Sequence, residues 1–280
     1  MGAEVSAVVF GLSAAAAWGA ADFGGGLLSR RARAFAVVLV SQAVGLVGAL
    51  AAAIARGEPV PPSSDLAWAL AAGGFGGLGL VALYHGLATG RMAIVAPITG
   101  VLTAALPVAV GIALAGLPGP LRLAGFGLGF AAVVLVSVTT DRAGRPSGVR
   151  AALLAGCGFG LFALFISRVT PGLVFGPIVA ARSASIAIVG LLVAAGRRPW
   201  RPGARLFPAL ALVGLLDVAG NTGFLLAAQV GRLDVAALLS SLYPVVTVVL
   251  AAGVLRERVT AARALGVAAA AVAVGLIALG

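Results

Sequence analysis

Apolar residues run along this chain in stretches of about 20, separated by short polar breaks. Ten such stretches can be drawn, at approximately 5–28, 34–55, 66–89, 93–115, 121–140, 150–168, 174–195, 207–229, 233–255 and 261–279. A helix of about 20 apolar residues crosses the roughly 30 Å of bilayer hydrocarbon. Strict alternation of apolar and polar positions is too rare, and alanine and glycine too abundant, for lipid-facing barrel strands. Helices remain, because backbone groups in lipid must find their hydrogen-bond partners within the segment. The pattern predicts an all-α integral membrane protein with ten transmembrane helices.

Composition strengthens that reading. Of 280 residues 61% are hydrophobic and 10% charged, with a mean hydropathy of +1.16; soluble domains hold roughly 45–50% apolar residues. The formal charge of +11 is carried by arginine alone, since the chain has no lysine. These arginines lie in separate short loops and form no single patch, which argues against a nucleic-acid partner. They read instead as orientation signals. Arg30, Arg31, Arg33, Arg91, Arg142, Arg145 and others crowd the loops of one side, whereas the other side has only Arg56, Arg122, Arg168 and Arg232. The positive-inside rule puts the first side in the cytoplasm and both termini outside. The first stretch follows Glu4 with no preceding basic residue and no cleavage site, so it is expected as a helix and not as a signal peptide. Cys157 is the only cysteine and forms no internal disulfide.

Ten helices invite a search for an internal repeat. A shift of 141 residues superimposes Gly19 on Gly160, Gly90 on Gly231, Arg91 on Arg232, Arg122 on Arg263 and Gly125 on Gly266. Two units follow, residues 1–140 and 150–280, with five helices each. Because five is odd, the second unit enters the membrane from the opposite side, which makes the units inverted repeats, a signature of secondary transporters.

Against this frame the run "SSLYPVVTVVLAAGVLRERVTAARALGV", residues 240–267, resembles the ninth and tenth helices of EamA-domain transporters of the drug/metabolite transporter (DMT) superfamily. The matching residues are Pro244, then Glu257, Arg258 and Thr260, then Gly266. Trp18 and Gly19, the path from Tyr84 through Ala93 to Pro97, and Arg182 add to the likeness. The first half departs from it, with Gly116 where Glu257 stands in the second. The resemblance implies a multi-pass transporter of the cell membrane that exports a small metabolite, amino acids foremost and cationic drugs second. It also implies cytoplasmic termini, the reverse of the arginine tally.

The polar residues inside the apolar runs are the candidate site. In "ALVGLLDVAGNTGF", residues 211–224, Asp217 and Asn221 lie four apart and share a helix face. A charge at the bilayer centre costs at least about 2.5–3.5 kcal/mol on insertion scales, so Asp217 must face a partner or a water-filled cavity. Two readings stand: an ion pair with Arg182 of the seventh helix, or a group that binds a cationic substrate or carries a coupling proton. Tyr243, Gln42, Thr99, Gln229, Ser240 and Ser241 are candidate cavity donors. Pro97 and Pro107 in the fourth helix and Pro244 in the ninth remove backbone donors and kink their helices; Pro97 and Pro244, at equivalent places in the two halves, are candidate hinges. The cluster "GGFGGLG", residues 73–79, lets the third helix approach a neighbour closely. Asp22, a few residues before Arg30 and Arg31, is expected in an interfacial salt bridge, His85 in helix packing, and Glu257, between Arg256 and Arg258, in a charge-balanced turn.

The sequence calls for no cofactor or metal. One histidine, one cysteine and eight acidic residues, mostly scattered in loops, assemble no catalytic constellation, and a P-loop is impossible without lysine. A non-transporting scaffold or regulator would explain the apolar composition, though not the paired halves and the central charges. The expected partners are a small-molecule substrate, protons as a candidate coupling ion, and the lipid bilayer.

Overall fold

The computed structural model describes residues 2–89, 92–137, 148–196, 201–254 and 260–279. The chain folds into helices α1 (Ala3–Ser29), α2 (Ala34–Ala55), α3 (Ser63–Thr89), α4 (Met92–Ala115), α5 (Pro120–Ser137), α6 (Val149–Ile166), α7 (Phe175–Ala195), α8 (Phe207–Val230), α9 (Leu233–Ser240), α10 (Tyr243–Val254) and α11 (Ala261–Leu279). A short 3₁₀ turn, Ala204–Leu206, leads into α8, and no strand occurs among the described residues. Seven of the helices, α1 to α4 and α6 to α8, are long and apolar enough to cross a membrane. Three shorter apolar segments, Pro120–Leu135, Leu233–Thr247 and Ala264–Ile277, accompany them.

The bundle has the polarity of a membrane protein. Large apolar side chains such as Val47, Ile54, Leu114, Leu154, Leu191 and Leu265 point outward, while many of the buried positions are alanines, and Ser41, Gln42, Arg182 and Asn221 are buried among them. Helices early in the chain pack on helices late in it: α1 on α8, α3 on α6 and α7, α4 on α6, and α5 on α11.

The glycine cluster explains part of this. Gly73 and Gly77 face Ala181 and Ser185 of α7, and Gly76 and Gly79 face Phe162 and Phe159 of α6. A Cβ at Gly73 would collide with the backbone of Ala181. Between helices in lipid, where apolar burial gives little drive, such close backbone approach supplies the van der Waals contact.

One expected helix is two. The stretch 233–255 breaks at Ser241 and Leu242, with α9 before and α10 after. Pro244 cannot donate to the Ser240 carbonyl, which an unbroken helix would require, and at the start of α10 its missing N–H is tolerated. The chain turns there through Leu242 N–H to the Leu239 carbonyl (3.3 Å) and Val245 N–H to the Leu242 carbonyl (2.9 Å). By contrast α4 continues through both Pro97 and Pro107; the side-chain surroundings of Pro97, like the turn at Arg256, Glu257 and Arg258, lie outside the described residues.

The end of the bundle that carries Glu4 is tied across the sequence by polar contacts. Glu58, between α2 and α3, accepts the backbone N–H groups of Val174 (2.7 Å), Phe175 (2.9 Å) and Gly176 (3.0 Å) at the start of α7. Asp65 accepts the Thr170 N–H at 3.1 Å. Arg232 pairs with Asp234 at 2.7 Å and donates to the carbonyls of Ala115 (3.3 Å) and Gly116 (2.9 Å). Arg122 pairs with Glu4 at 3.1 Å.

Candidate functional site

Where α1, α2, α3, α4, α6, α7 and α8 meet the break between α9 and α10, the bundle forms a partly open cavity of about 80 Å³. On the same measure a single water needs about 10–15 Å³, so the space suits a small solute. Trp18 and Asp22 of α1, Gln42 of α2, Arg182 and Ser185 of α7, Asp217 and Asn221 of α8, Ser240 of α9 and Tyr243 of α10 all line it.

Arg182 organises the polar wall. Only 2% of its side chain is exposed, and Nη1 lies 2.7 Å from Asp217 Oδ2 while donating to Gln42 Oε1 at 2.6 Å. Gln42 Nε2 donates in turn to Asp217 Oδ2 at 3.5 Å. Three helices are thereby joined by one ionic cluster. Of the two readings of Asp217, the pair with Arg182 is realised, as opposite charges removed from water require. Asp217 keeps 21% of its side chain exposed, so the pair remains open to the cavity on the carboxylate side. Close packing permits the geometry: a Cβ at Gly45 would stand 3.2 Å from Arg182 Nη1, and one at Gly214 would run into the Ser41 carbonyl.

Asn221, one turn along α8 from Asp217, accepts the Trp18 indole N–H at 3.0 Å. Gly220 beside it leaves room for the indole ring, and Phe224 packs against the ring at a centroid distance of 5.8 Å. Tyr243 is buried at the first residue of α10. Pro244 adjoins it in the same turn. Pro97 falls within α4.

Asp22 departs from the expectation of an interfacial salt bridge. No ion pair joins it to Arg30 or Arg31 among the described residues, and its side chain lines the cavity with Asp217. The reason is the length of α1, which continues for seven residues beyond Asp22, to Ser29. Seven residues are about 10 Å of helix, which carries the carboxylate away from the interface and into the bundle.

Other candidate donors serve the scaffold. Thr99 donates to the Ala152 carbonyl at 3.3 Å, Ser241 donates to the Leu238 carbonyl at 2.7 Å, and Gln229 brackets the loop before α7 through Leu173 and Gly172. His85 is exposed on α3, beside a surface pocket it shares with Phe35 and Arg150.

Sequence reasoning did not assign Ser185, and it used Trp18 only as a mark of resemblance. Ser185 sits three residues after Arg182, hence on the same face of α7. Trp18 stands in the same relation four residues before Asp22 on α1. In both cases helical spacing from a charged residue was the available signal. Arg182 Nε, Arg182 Nη2 and Ser185 Oγ are buried with no hydrogen-bond partner among the described residues.

Comparison with known proteins connects this geometry to a family. Residues 146–279 match the EamA-like transporter family. A crystal structure described only as "Crystal structure of protein" superposes with a TM-score of 0.75 at 19% identity, over 98% of this chain and 97% of that one, and shows that the fold is shared. No curated protein matches the chain significantly.

Proposed function

We propose, from membership of the EamA-like transporter family through residues 146–279, that the chain is a secondary transporter which exports a small metabolite, an amino acid foremost, across the cell membrane. In this reading ten transmembrane helices form two inverted five-helix units, residues 1–140 and 150–280, that rock about the cavity. The seven long helices together with the three shorter apolar segments support the count of ten.

The observation that carries the proposal is the buried cluster of Arg182, Asp217 and Gln42 on the wall of a cavity beside a broken helix. Secondary transporters place substrate and coupling-ion sites next to interrupted helices near the bilayer midplane. A non-transporting scaffold has no use for the ionisable side chains of Asp22, Arg182 and Asp217 around a solute-sized cavity, because each of them costs stability in the membrane. Asp217, Asn221, Arg182 and Tyr243 contact the substrate; Asp217, freed when substrate breaks its pair, is also the residue placed to exchange a proton. The break at 241–242, next to Pro244, supplies one hinge, and Pro97 in α4 is its counterpart in the first unit.

Purified protein in liposomes, given a panel of labelled amino acids and organic cations at two pH values, tests this. At least one class is expected to show saturable counterflow. Asp217→Asn, checked for folding by its melting profile, is expected to lower it about tenfold or more, the effect of losing one charge-assisted hydrogen bond. Flux no greater than in empty liposomes across the whole panel would overturn the assignment.

A further inference from the structure

We propose that the groove where the first turns of α2 and α6 meet the last turns of α3 binds an anionic phospholipid, with the headgroup phosphate on Arg150 and an acyl chain along the apolar floor. This groove is separate from the central cavity, and the inference does not depend on what that cavity carries.

Helical spacing builds the two walls. Leu78, Val81 and His85 fall at positions i, i+3 and i+7 of α3, and Arg150 and Leu154 at i and i+4 of α6, so each set forms one stripe. Both stripes line the groove, together with Phe35 of α2. They run side by side, because Gly86 packs on Ala151 and Gly79 on Phe159. His85 and Arg150 therefore stand near one level at the end of the bundle opposite Glu4. Leu78, seven residues before His85, lies about 10 Å deeper. The groove is thus polar at its mouth and apolar below.

Its apolar side chains are open to the outside, Leu78 by 43% and Leu154 by 67%. In a bilayer any lipid could cover them, and the charge at the mouth is what makes the groove selective. Arg150 is exposed and enters no ion pair among the described residues. Its planar guanidinium matches two phosphate oxygens at once. Arg33, just before α2, is two residues from Phe35, at most about 7 Å of chain, and brings a second positive charge near the mouth. The loops that the arginine tally assigns to this end hold most of the chain's arginines, with Asp141 and Glu257 as their acids. A headgroup of net negative charge is favoured there over one that carries its own ammonium. A space of about 920 Å³, against about 80 Å³ for the central cavity, calls for a ligand with an apolar body and not for a bare anion. Leu80 of α3 and Phe159 of α6 also line the central cavity, so a lipid bridging these two helices is expected to stabilise the bundle around it.

The purified, delipidated full chain in neutral detergent is titrated with dioleoylphosphatidylglycerol, with dioleoylphosphatidylcholine, and with glycerol 3-phosphate as a phosphate without chains. Bound lipid is counted by native mass spectrometry, and stabilisation is read from the melting temperature. Phosphatidylglycerol is expected to raise the melting temperature saturably and to bind at least about tenfold more tightly than phosphatidylcholine, the effect of two arginines at the headgroup. Arg150→Gln is expected to lower that preference about fivefold, the share of one arginine. Arg168→Gln, which removes the same charge beyond the far end of α6, is expected to leave it unchanged. Leu154→Trp, at an exposed position where the larger side chain fills the groove, is expected to weaken both lipids. No saturable binding, equal binding of the two lipids, equal losses in Arg150→Gln and Arg168→Gln, or the full shift produced by glycerol 3-phosphate alone would overturn the proposal.

Discussion

At Arg182 and Asp217 two charges are held where neither could remain alone. Removing one member of a buried pair leaves the other unpaired at a cost of about 3–5 kcal/mol, while removing both can approach neutrality. Arg182→Met is therefore expected to lower the melting temperature in detergent strongly, and the double variant Arg182→Met with Asp217→Leu to recover most of the loss. A double variant no more stable than Arg182→Met would mean that the cluster is not an isolated pair. Asp217→Asn keeps the side chain's shape and an acceptor oxygen, which is why it suits the transport assay. Asp217, Asn221, Arg182 and Tyr243 were legible because each interrupts an apolar run, and an ionisable group in such a run has few places to go. Asp22 was misread because closeness in sequence to Arg30 and Arg31 stood in for closeness in space. Ser185 carried no signal of its own, since a small hydroxyl in an alanine-rich helix looks the same whether it meets a substrate or a neighbouring helix.

At the scale of elements, proline and glycine mark events whose outcome their surroundings decide. Two prolines leave α4 continuous, whereas one coincides with the break between α9 and α10. Beside that break the hydroxyls of Ser240 and Ser241 donate to the carbonyls of Ala237 (3.1 Å) and Leu238 (2.7 Å), three residues back, and so compete with the helical ladder at the point where Pro244 supplies no donor. The sequence showed the proline but not this competition. The glycine cluster was legible as a contact surface, but which residue meets which helix depends on the rotation of α3, and that is fixed by tertiary packing. Gly73 gives the sharpest test, because any Cβ there meets the backbone of Ala181, which has no rotamer by which to move aside. Gly73→Ala is expected to destabilise the protein by about 1–3 kcal/mol, the range for overpacking. Gly127→Ala in α5, where a Cβ meets nothing within 4 Å, is expected to be neutral or stabilising by up to about 1 kcal/mol, the helix-propensity difference. Equal effects on melting temperature at both positions would show that propensity, and not α3–α7 contact, governs these glycines.

For the whole molecule, the rhythm of apolar stretches made the membrane character plain, and Arg56, Arg122 and Arg232, set apart by the arginine tally, do lie together at the end that carries Glu4. The contacts that close this end were not legible, because they join residues more than 100 positions apart: Glu58 meets Val174, Phe175 and Gly176, and Arg232 meets Ala115 and Gly116. Glu58 does the most here. The first turn of a helix presents N–H groups without helical acceptors and carries the positive end of its dipole. A carboxylate from the loop between α2 and α3 takes three such N–H groups around the start of α7, with Pro61 packed on Gly176 and the Arg56 guanidinium 5.9 Å from the Phe175 ring centre. Since α7 also carries Arg182, this clasp ties the position of the cavity wall to the closure of one end. Glu58→Ala removes the acceptors and is expected to cost about 1–2 kcal/mol, the range for a lost helix cap. If this end opens during transport, it should also open more often in the variant. With Cys157→Ser as background and Ser240→Cys as a reporter in the cavity, a membrane-impermeant maleimide added from the Glu4 side should label Glu58→Ala several-fold faster, roughly the population shift that 1–2 kcal/mol allows. Equal labelling rates with and without Glu58 would assign the clasp to stability alone and place the moving gate elsewhere.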